Sequence, residues 1–555
     1  MAAANEQHRA AIELEERLGR WPRRLLHVPS MTSYEWQPGN IYGNVAEPQY
    51  NAISYTWGRF RETDTSLQVP TLQVNGIEWS IPMIKPGHFD VAKLEAVIRK
   101  SISDYSETGG RIEYLWIDIA CIDQRRNIDS DLEIGRQADI FRHAHRVYVW
   151  LGCSSAERFE ELHSFWGLWK GMGTNYHTGK YNREALGNAA RVLAKFSDEP
   201  WFSSVWTLQE AYLRKDAVLL SDDGESTAIN GIHTTSNDYF LLRHLLDACD
   251  AVWLLCWSGI AGAEAAQVTL QLRDLGIVGL NRNDPMRLYA IAMSRDPSNE
   301  EDCIYGIQQI FGLRLGKSNP SNMKSSYSLE ELEDELGAQL MRDNPVLSQN
   351  FVHYNSTLRI GKRWRLARNL ENPHMSFNYD SPWSPSNYAS CCALSTGRIG
   401  GVLCGRFDGR VCDFVVLQKN WTARYEDSSR SRPPDQPLVS IQLDVGSELF
   451  PRFPSWRLPN AGHGVAADEH VAVKTAELLV ECTSQEYNPD SYDSRSLKVL
   501  HMGKDRGSGD ECQIGLLLFR SKTEPLHIWR RVGICAWLGR ISSNDVWVSQ
   551  PGYFG

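Results

Sequence analysis

Three stretches of this chain gather residue types able to bind or cleave a small polar molecule. Tyr50-Asn-Ala-Ile-Ser-Tyr-Thr-Trp-Gly58 sets Ser54, Tyr55, Trp57 and Gly58 at the end of an apolar run. Tyr114-Leu-Trp-Ile-Asp-Ile-Ala-Cys-Ile-Asp-Gln124 does the same for Asp118, Asp123 and Gln124. Trp201-Phe-Ser-Ser-Val-Trp-Thr-Leu-Gln-Glu210 spaces Trp206 and Glu210 four residues apart, which is one face of a helix. A carboxylate beside an aromatic ring can stabilise positive charge developing on a sugar while the ring stacks on a base. Each residue also has a plainer use. Glu210 can pair with Arg214 one turn on, and Trp206 can be core. Asp118 and Gln124 can cap the loop after their strand. Ser54 and Tyr55 can simply end theirs. The turn at Thr56-Trp57-Gly58 exposes a Trp, which points to contact with a ligand or a partner.

Other chemistries have less to stand on. Cys121 lies between Ala120 and Ile122 with no His at a telling distance, so it reads as packing. His143 and His145 are two apart and cannot share a helix face, so no zinc site is expected there. The sequence has no G-x-G-x-x-G and no Walker A pattern. The net charge is −10 and no long basic block occurs, which argues against a nucleic-acid groove. The 12 Cys form no C-x-x-C pair. With no visible export signal they read as reduced thiols of a cytoplasmic protein. The most apolar run, Ala251 to Ala266, contains Glu264 and is shorter than the ~20 residues of a membrane span. It reads as a buried helix.

The elements that must position these residues follow from apolar periodicity. Strands are expected at Arg24–Val28, Ala52–Tyr55, Tyr114–Ile117, Arg146–Leu151 and Ala217–Leu220. Between them lie amphipathic helices, over 89–103 (Val91, Leu94, Val97, Ile98 and Ile102), Glu133–Ala144 and 202–214. Continuous apolar strands alternating with such helices indicate an α/β domain with a mostly parallel sheet. Polar residues at strand carboxyl ends then line a crevice. Residues 33–48 are turn-rich and expected to loop. Asn75-Gly76 predicts a hairpin between Leu72–Val74 and Ile77–Ile81. One or two helices are expected within 153–198. Beyond 225 the middle third is helical, over 237–268, 285–313 and 328–342. From about 350 short strands are expected at Phe414–Leu417, Leu438–Leu443, Ala476–Glu481, Leu497–Leu500, Ile514–Phe519, Val532–Ile534 and Val546–Val548, with an exposed loop over 428–437. The resulting partition is an N-terminal arm (1–23), the α/β domain (24–225), a helical region (226–349) and a β-rich region (350–555).

Taken together, four segments resemble the fungal heterokaryon-incompatibility (HET) domain family. They are Tyr50–Gly58, Leu115–Gln124, Gln137–Ala144 with Val147–Gly152, and Trp201–Glu210, in the family's order. Arg295-Asp-Pro, Ile304-Tyr-Gly-Ile and Phe311-Gly-Leu313 resemble a segment often found beyond that domain. The chain departs from the pattern with Asp123 for the usual Asn and Ala138 for a bulkier hydrophobe. The resemblance implies non-self recognition, growth arrest and programmed cell death, in the manner of innate immunity. It further implies a distant TIR-like fold with NAD as substrate. Glu210 would then be the catalytic carboxylate, and Ser54, Tyr55, Trp57, Gly58, Asp118, Gln124 and Trp206 would bind the nucleotide. Some fifty residues separate Leu151 from Trp201, where TIR domains have a short link. The other reading open at this point is a non-enzymatic module that self-assembles into a homo-oligomer through its aromatic loops. In either case a regulatory protein partner is implied, with no metal, no nucleic acid and no membrane span.

Overall fold

A computed structural model describes residues 2–64, 66–67, 69–102, 110–125, 127–172, 183–227, 239–257, 263–280, 285–322, 324, 326–353, 361–367, 370–371, 388–428, 439–444, 497–505, 512–520, 528–538 and 546–555. The chain forms two compact units. One comprises residues 1–256, 260–281 and 294–329; the other comprises 257–259, 282–293 and 330–555. Among the described residues no helix is long and apolar enough to cross a membrane.

The first unit is α/β. After helix α1 (Ala2–Leu18), the strands are β1 (Arg24–His27), β2 (Thr32–Gln37), β3 (Ile41–Tyr42), β4 (Val45–Ala46), β5 (Tyr50–Ser54), β6 (Tyr114–Trp116), β7 (Val147–Trp150) and β8 (Val218–Leu220). They form one sheet in the order β4-β3-β2-β1-β6-β5-β7-β8. The strands β6, β5, β7 and β8 are mutually parallel. They are buried along their whole length, as continuous apolar runs covered on both faces must be. Helix α2 (Val91–Lys100) joins β5 to β6; it starts at an Asp90 cap and buries Leu94, Val97 and Ile98. Buried Asn51 fixes the centre of the sheet. It donates to Ser101 O at 2.7 Å and accepts from Arg146 N at 3.1 Å. From β5 the chain leads to β6 on one side, and from neighbouring β7 it leads to β8 on the other. Connections that part in this way open a crevice at the strand carboxyl ends.

The remaining half of the sheet is antiparallel, and residues 33–48 are not a loop but β2, β3 and β4. Their strand signal is weak because polar residues alternate with Tyr34, Trp36 and Tyr42, and only one face is covered. The hairpin expected about Asn75-Gly76 also does not form. The turn is there, with Gly76 at φ +76°, but its flanks do not pair with each other. Asn75 instead exchanges backbone bonds with Met31 O (2.8 Å) and Ser33 N (2.9 Å). A Cβ on Gly76 would stand 2.7 Å from Ser33 O, so glycine serves here for close approach to β2. The single helix expected over Glu133–Ala144 is two. They follow α3 (Asp118–Cys121) and are α4 (Ile128–Ile134) and α5 (Gln137–His143). An Asn127–Ser130 capping box starts α4 early. Between the two, Arg136 leaves helical geometry, and its guanidinium binds Gly19 O and Trp21 O. Helices α6 (Ala156–Met172), α7 (Arg183–Phe196), α8 (Pro200–Ser203) and α9 (Val205–Leu213) complete the elements that lead to β8.

The second unit is β-rich. Its strands are β9 (Val352–His353) and β10 (Leu370–Glu371), then β11 (Tyr388–Ser390), β12 (Ala393–Ile399), β13 (Val402–Asp413), β14 (Val439–Leu443), β15 (Leu497–Asp505), β16 (Cys512–Phe519), β17 (Ile528–Leu538) and β18 (Val548–Phe554). Strand β13 pairs with β18 over Gly405–Val411 and with β15 over Val411–Asp413, so β15, β16, β17, β18 and β13 close a circuit. Phe414–Leu417, expected as a strand, begins the helix Phe414–Ser428. Phe414, Leu417 and Trp421 lie on its one buried face, a helical spacing that the four-residue apolar run conceals. The strand expected at Ala476–Glu481 and most of the loop expected over 428–437 lie outside the described residues.

At the centre of this unit Arg531 and Asp444 form an ion pair at 3.2 Å with no solvent exposure of either side chain. The Arg531 guanidinium lies 4.1 Å over the Phe351 ring and bonds Phe351 O. The second acceptor face of Asp444 takes His353 N at 2.9 Å. Removing one member of such a pair leaves a buried charge uncompensated, at a cost of roughly 3–5 kcal/mol. Asp444→Ala is therefore expected to lower the unfolding free energy of this unit, measured by denaturant titration, by that much, whereas exposed Asp408→Ala is expected to change it little.

Candidate functional site

Strand β5 ends on Ser54 and hands over to Tyr55 and the turn containing Trp57 and Gly58. One strand away, β6 ends on Trp116 and passes into Ile117, the extended N-cap of α3, so Asp118 opens that single turn. The two ends meet on the Asp118 carboxylate. Tyr55 Oη donates to Oδ1 at 2.8 Å, Trp57 Nε1 to Oδ2 at 2.5 Å, and Ile119 N to Oδ1 at 2.7 Å. Three donors fit an ionised carboxylate and oppose burial, which still holds the Asp118 pKa above its ordinary value. The Tyr55 hydroxyl is pushed well up by burial and by the adjacent Asp118. Behind Tyr55, Phe89 and Trp150 complete an aromatic wall, with ring centroids 4.9 Å apart for that pair and 6.2 Å for Tyr55 and Trp150.

Glu210 reaches the same place from α9. Pro200, at the first position of α8, starts the approach. Trp201 then donates its indole N–H to Ser54 Oγ at 2.7 Å. The Ser54 hydroxyl also faces the Glu210 carboxyl group. Glu210 is 9% exposed, and its Oε2 has no hydrogen-bond partner. Burial pushes its pKa up to about 8, and the negative Asp118 adds to this; the Ser54 hydroxyl and the positive Arg295 act against it. The surface pair with Arg214 does not form. Arg214 turns away at the helix end to bond Phe141 O (2.8 Å), Ala144 O (2.7 Å) and Asp216 (2.9 Å).

The structure thus gathers Ser54, Tyr55, Trp57, Asp118 and Glu210. Gly58 follows in the exposed turn. Gln124 serves as a brace, donating to Ile122 O at 2.9 Å and Asp118 O at 3.2 Å. Trp206, half-buried one helical turn before Glu210, faces Asp302. The charge that Asp123 adds is paired with Arg125 at 2.6 Å, and this bond draws its pKa down to about 2. Cys121 is buried, which pushes its thiol up to about 12 and keeps it unreactive. Among the described residues no group of three or more His, Cys, Asp or Glu is arranged to hold a metal ion. A cavity of about 780 Å³ lies along Arg61–Thr63 and Thr71–Met83, and none of the candidate residues lines it.

Sequence reasoning passed over Glu199, Trp201, Arg59 and Arg295. Glu199 is 1% exposed, accepts from Ser154 Oγ (2.8 Å) and Cys153 N (3.1 Å), and is pushed up to about 7 by burial. It clamps the carboxyl end of β7 to the start of α8. Its place before Pro200 looks like an ordinary helix start, so only its burial distinguishes it. Arg59 donates to Pro200 O (2.8 Å) and Ser203 Oγ (2.5 Å), joining the Trp57 turn to α8. The arrangement amounts to two carboxyl groups raised by burial, one with three donors opposing the shift and one pushed up to about 8. Environments that push a pair apart in this way suit them to different roles in one reaction.

Residues 50–210 match a family model described as heterokaryon incompatibility protein (HET). No curated protein and no solved structure matches the chain.

The elevated Glu210 pKa links stability to pH. Below its ordinary value of 4.5 the group is protonated in the folded and unfolded chain alike, and nothing is lost. As the pH rises towards about 8 the unfolded chain releases a proton that the fold retains, and stability falls by a few kcal/mol. Glu210→Gln removes this term. The melting temperature of the variant minus that of the unsubstituted chain is expected to be small near pH 5 and to grow positive up to about pH 8–9. A constant difference across that range would refute the buried neutral carboxyl.

Proposed function

Residues 50–210 are a HET domain, and we propose that through it this chain acts as an effector of fungal non-self recognition whose activation leads to programmed cell death. The chemistry we assign to it is hydrolysis of the nicotinamide–ribose bond of NAD or a related nucleotide, by a site of TIR-like kind. The observation that carries this reading is the convergence of Glu210 and Asp118 at the carboxyl end of β5, where the sheet connections part.

The bond to be broken joins C1′ of the ribose to a cationic ring nitrogen. Its electron pair leaves with the nitrogen, giving neutral nicotinamide and an oxocarbenium-like sugar. Water adds to C1′ and gives up a proton. The chain needs to supply a negative charge beside the sugar and a partner for its hydroxyls. Glu210 is the group for the first task. The incoming cation favours its ionised form, so binding releases the proton that burial retains at neutral pH. Asp118 suits the ribose hydroxyls once Trp57 yields its place on Oδ2. Trp57 and Tyr55 are the rings nearest to hand for stacking.

A second reading has its own observation. Asp118 is fully engaged by Tyr55, Trp57 and Ile119, and Glu210 is sealed. A cluster closed in this way also suits a brace that shapes the Trp57 turn as a self-association surface, with toxicity arising from assembly.

The two readings separate on Glu210→Gln in the full chain at high protein concentration. For the enzyme, nicotinamide release is expected to drop by about two to four orders of magnitude with the fold retained. Its kcat/KM is expected to rise roughly tenfold per pH unit up to about pH 8 and then level off. Growth arrest on expression in a fungal host should be lost in parallel. Growth arrest that persists in the variant, with no nicotinamide release from either form, would assign the function to assembly.

A further inference from the structure

The segment beyond the matched family region is built into the same compact unit. Gly306 approaches α9 so closely that a Cβ there would stand 2.7 Å from Val205 Cγ1. Gln309 bridges α4 and α5, accepting from Ala138 N and donating to Ile134 O, each at 2.8 Å. Arg295 goes furthest into the site. It is 6% exposed, and its Nη1 donates to Ser204 O at 2.6 Å and to Thr207 Oγ1 at 3.1 Å, while Nη2 donates to Gly276 O at 3.2 Å.

A cation at the N-terminal end of a helix opposes the helix dipole, so stabilising α9 does not by itself account for this placement. The partners of Arg295 do. Thr207 accepts from Arg295 and gives its own hydroxyl proton to Trp201 O at 2.6 Å. Trp201 in turn holds Ser54, which faces Glu210 on α9. The bonds form a continuous run from Arg295 through Thr207 and Trp201 to Ser54, and Thr207 stands on α9 about one turn before Glu210.

We propose that Arg295 is a positioning residue for Glu210: it braces the α8–α9 turn through Ser204 and Thr207, and so keeps α9 placed with the Glu210 carboxyl facing Ser54. The working domain therefore extends past residue 210 and includes the segment that carries Arg295. The charged and titratable groups facing Glu210 are Asp118, Tyr55 and Arg295. Arg295 itself faces Arg59, whose ion pair with exposed Asp296 is 3.4 Å long. The proposal concerns the site invoked above for nucleotide hydrolysis, but it is read without substrate, so the two can fail separately.

The test is the titration midpoint of Glu210 in the full chain, followed by the carboxyl infrared band that Glu210→Gln deletes. In Arg295→Met the midpoint is expected to rise above the unsubstituted chain's by about one pH unit or more. In Arg295→Lys, which keeps the charge but not the fork, it should lie between the two. Thr207→Val keeps Arg295 and cuts only the link to Trp201. It should also raise the midpoint, because α9 then holds Glu210 less firmly towards Ser54 and Arg295, and it keeps the test open if the Arg295 variants do not fold. A midpoint unmoved in Thr207→Val and in whichever Arg295 variant folds, beside a lowered melting temperature, would make Arg295 a structural strap and overturn the proposal. A moved midpoint without any nicotinamide release would support Arg295 as a positioning residue and count against the hydrolase reading alone.

Discussion

The site depends on one hydroxyl. Ser54, at the carboxyl end of the central strand, accepts the indole N–H of Trp201 and faces the Glu210 carboxyl group. Both relations hold only while strand, α8 and α9 keep a fixed mutual arrangement. The rest of the unit can be understood as the means of fixing it. Asn51 ties β5 to β7 and to the end of α2; Glu199 ties β7 to α8; Arg59 ties the Trp57 turn to α8. Each bond lies away from bulk water, where a hydrogen bond is stronger and a missing partner is costly.

That arrangement carries a deliberate imbalance. Glu210 Oε2 and the Arg295 Nε are both buried without a partner. An unmade bond to a buried polar group costs about 1–3 kcal/mol. Asp118, by contrast, is saturated. Local rules are violated on one carboxyl group and over-fulfilled on its neighbour, and such contrasts concentrate at functional sites. The pair of carboxyl groups differs by environment alone, since the residues are chemically alike.

The strands that read most clearly in the sequence were those buried on both faces. The β5, β6, β7 and β8 runs are uninterrupted by charge, and no other element suits such a run beside Gly152 or Asp222-Asp223-Gly224. The β2–β4 meander escaped because one covered face gives only half a pattern. The Asn75-Gly76 turn was legible as a turn, but its partner was not, because backbone bonds to Met31 and Ser33 leave no mark on side-chain types. The Phe414 helix was misread because its first four residues are equally suited to a strand.

For the site, the amino-acid order by itself determined the candidates: Ser54, Tyr55, Trp57, Asp118 and Glu210 stand at strand ends and on one short helix, where polar groups in an α/β sheet face a crevice. It could not decide their state. Whether Glu210 pairs with Arg214 on the surface or lies neutral against Ser54 depends on which face of α9 is covered, and Glu199, Trp201 and Arg295 enter from segments far apart in the chain. Only the tertiary structure decides this, because desolvation and the charges that act through it depend on distances in space that no sequence spacing encodes.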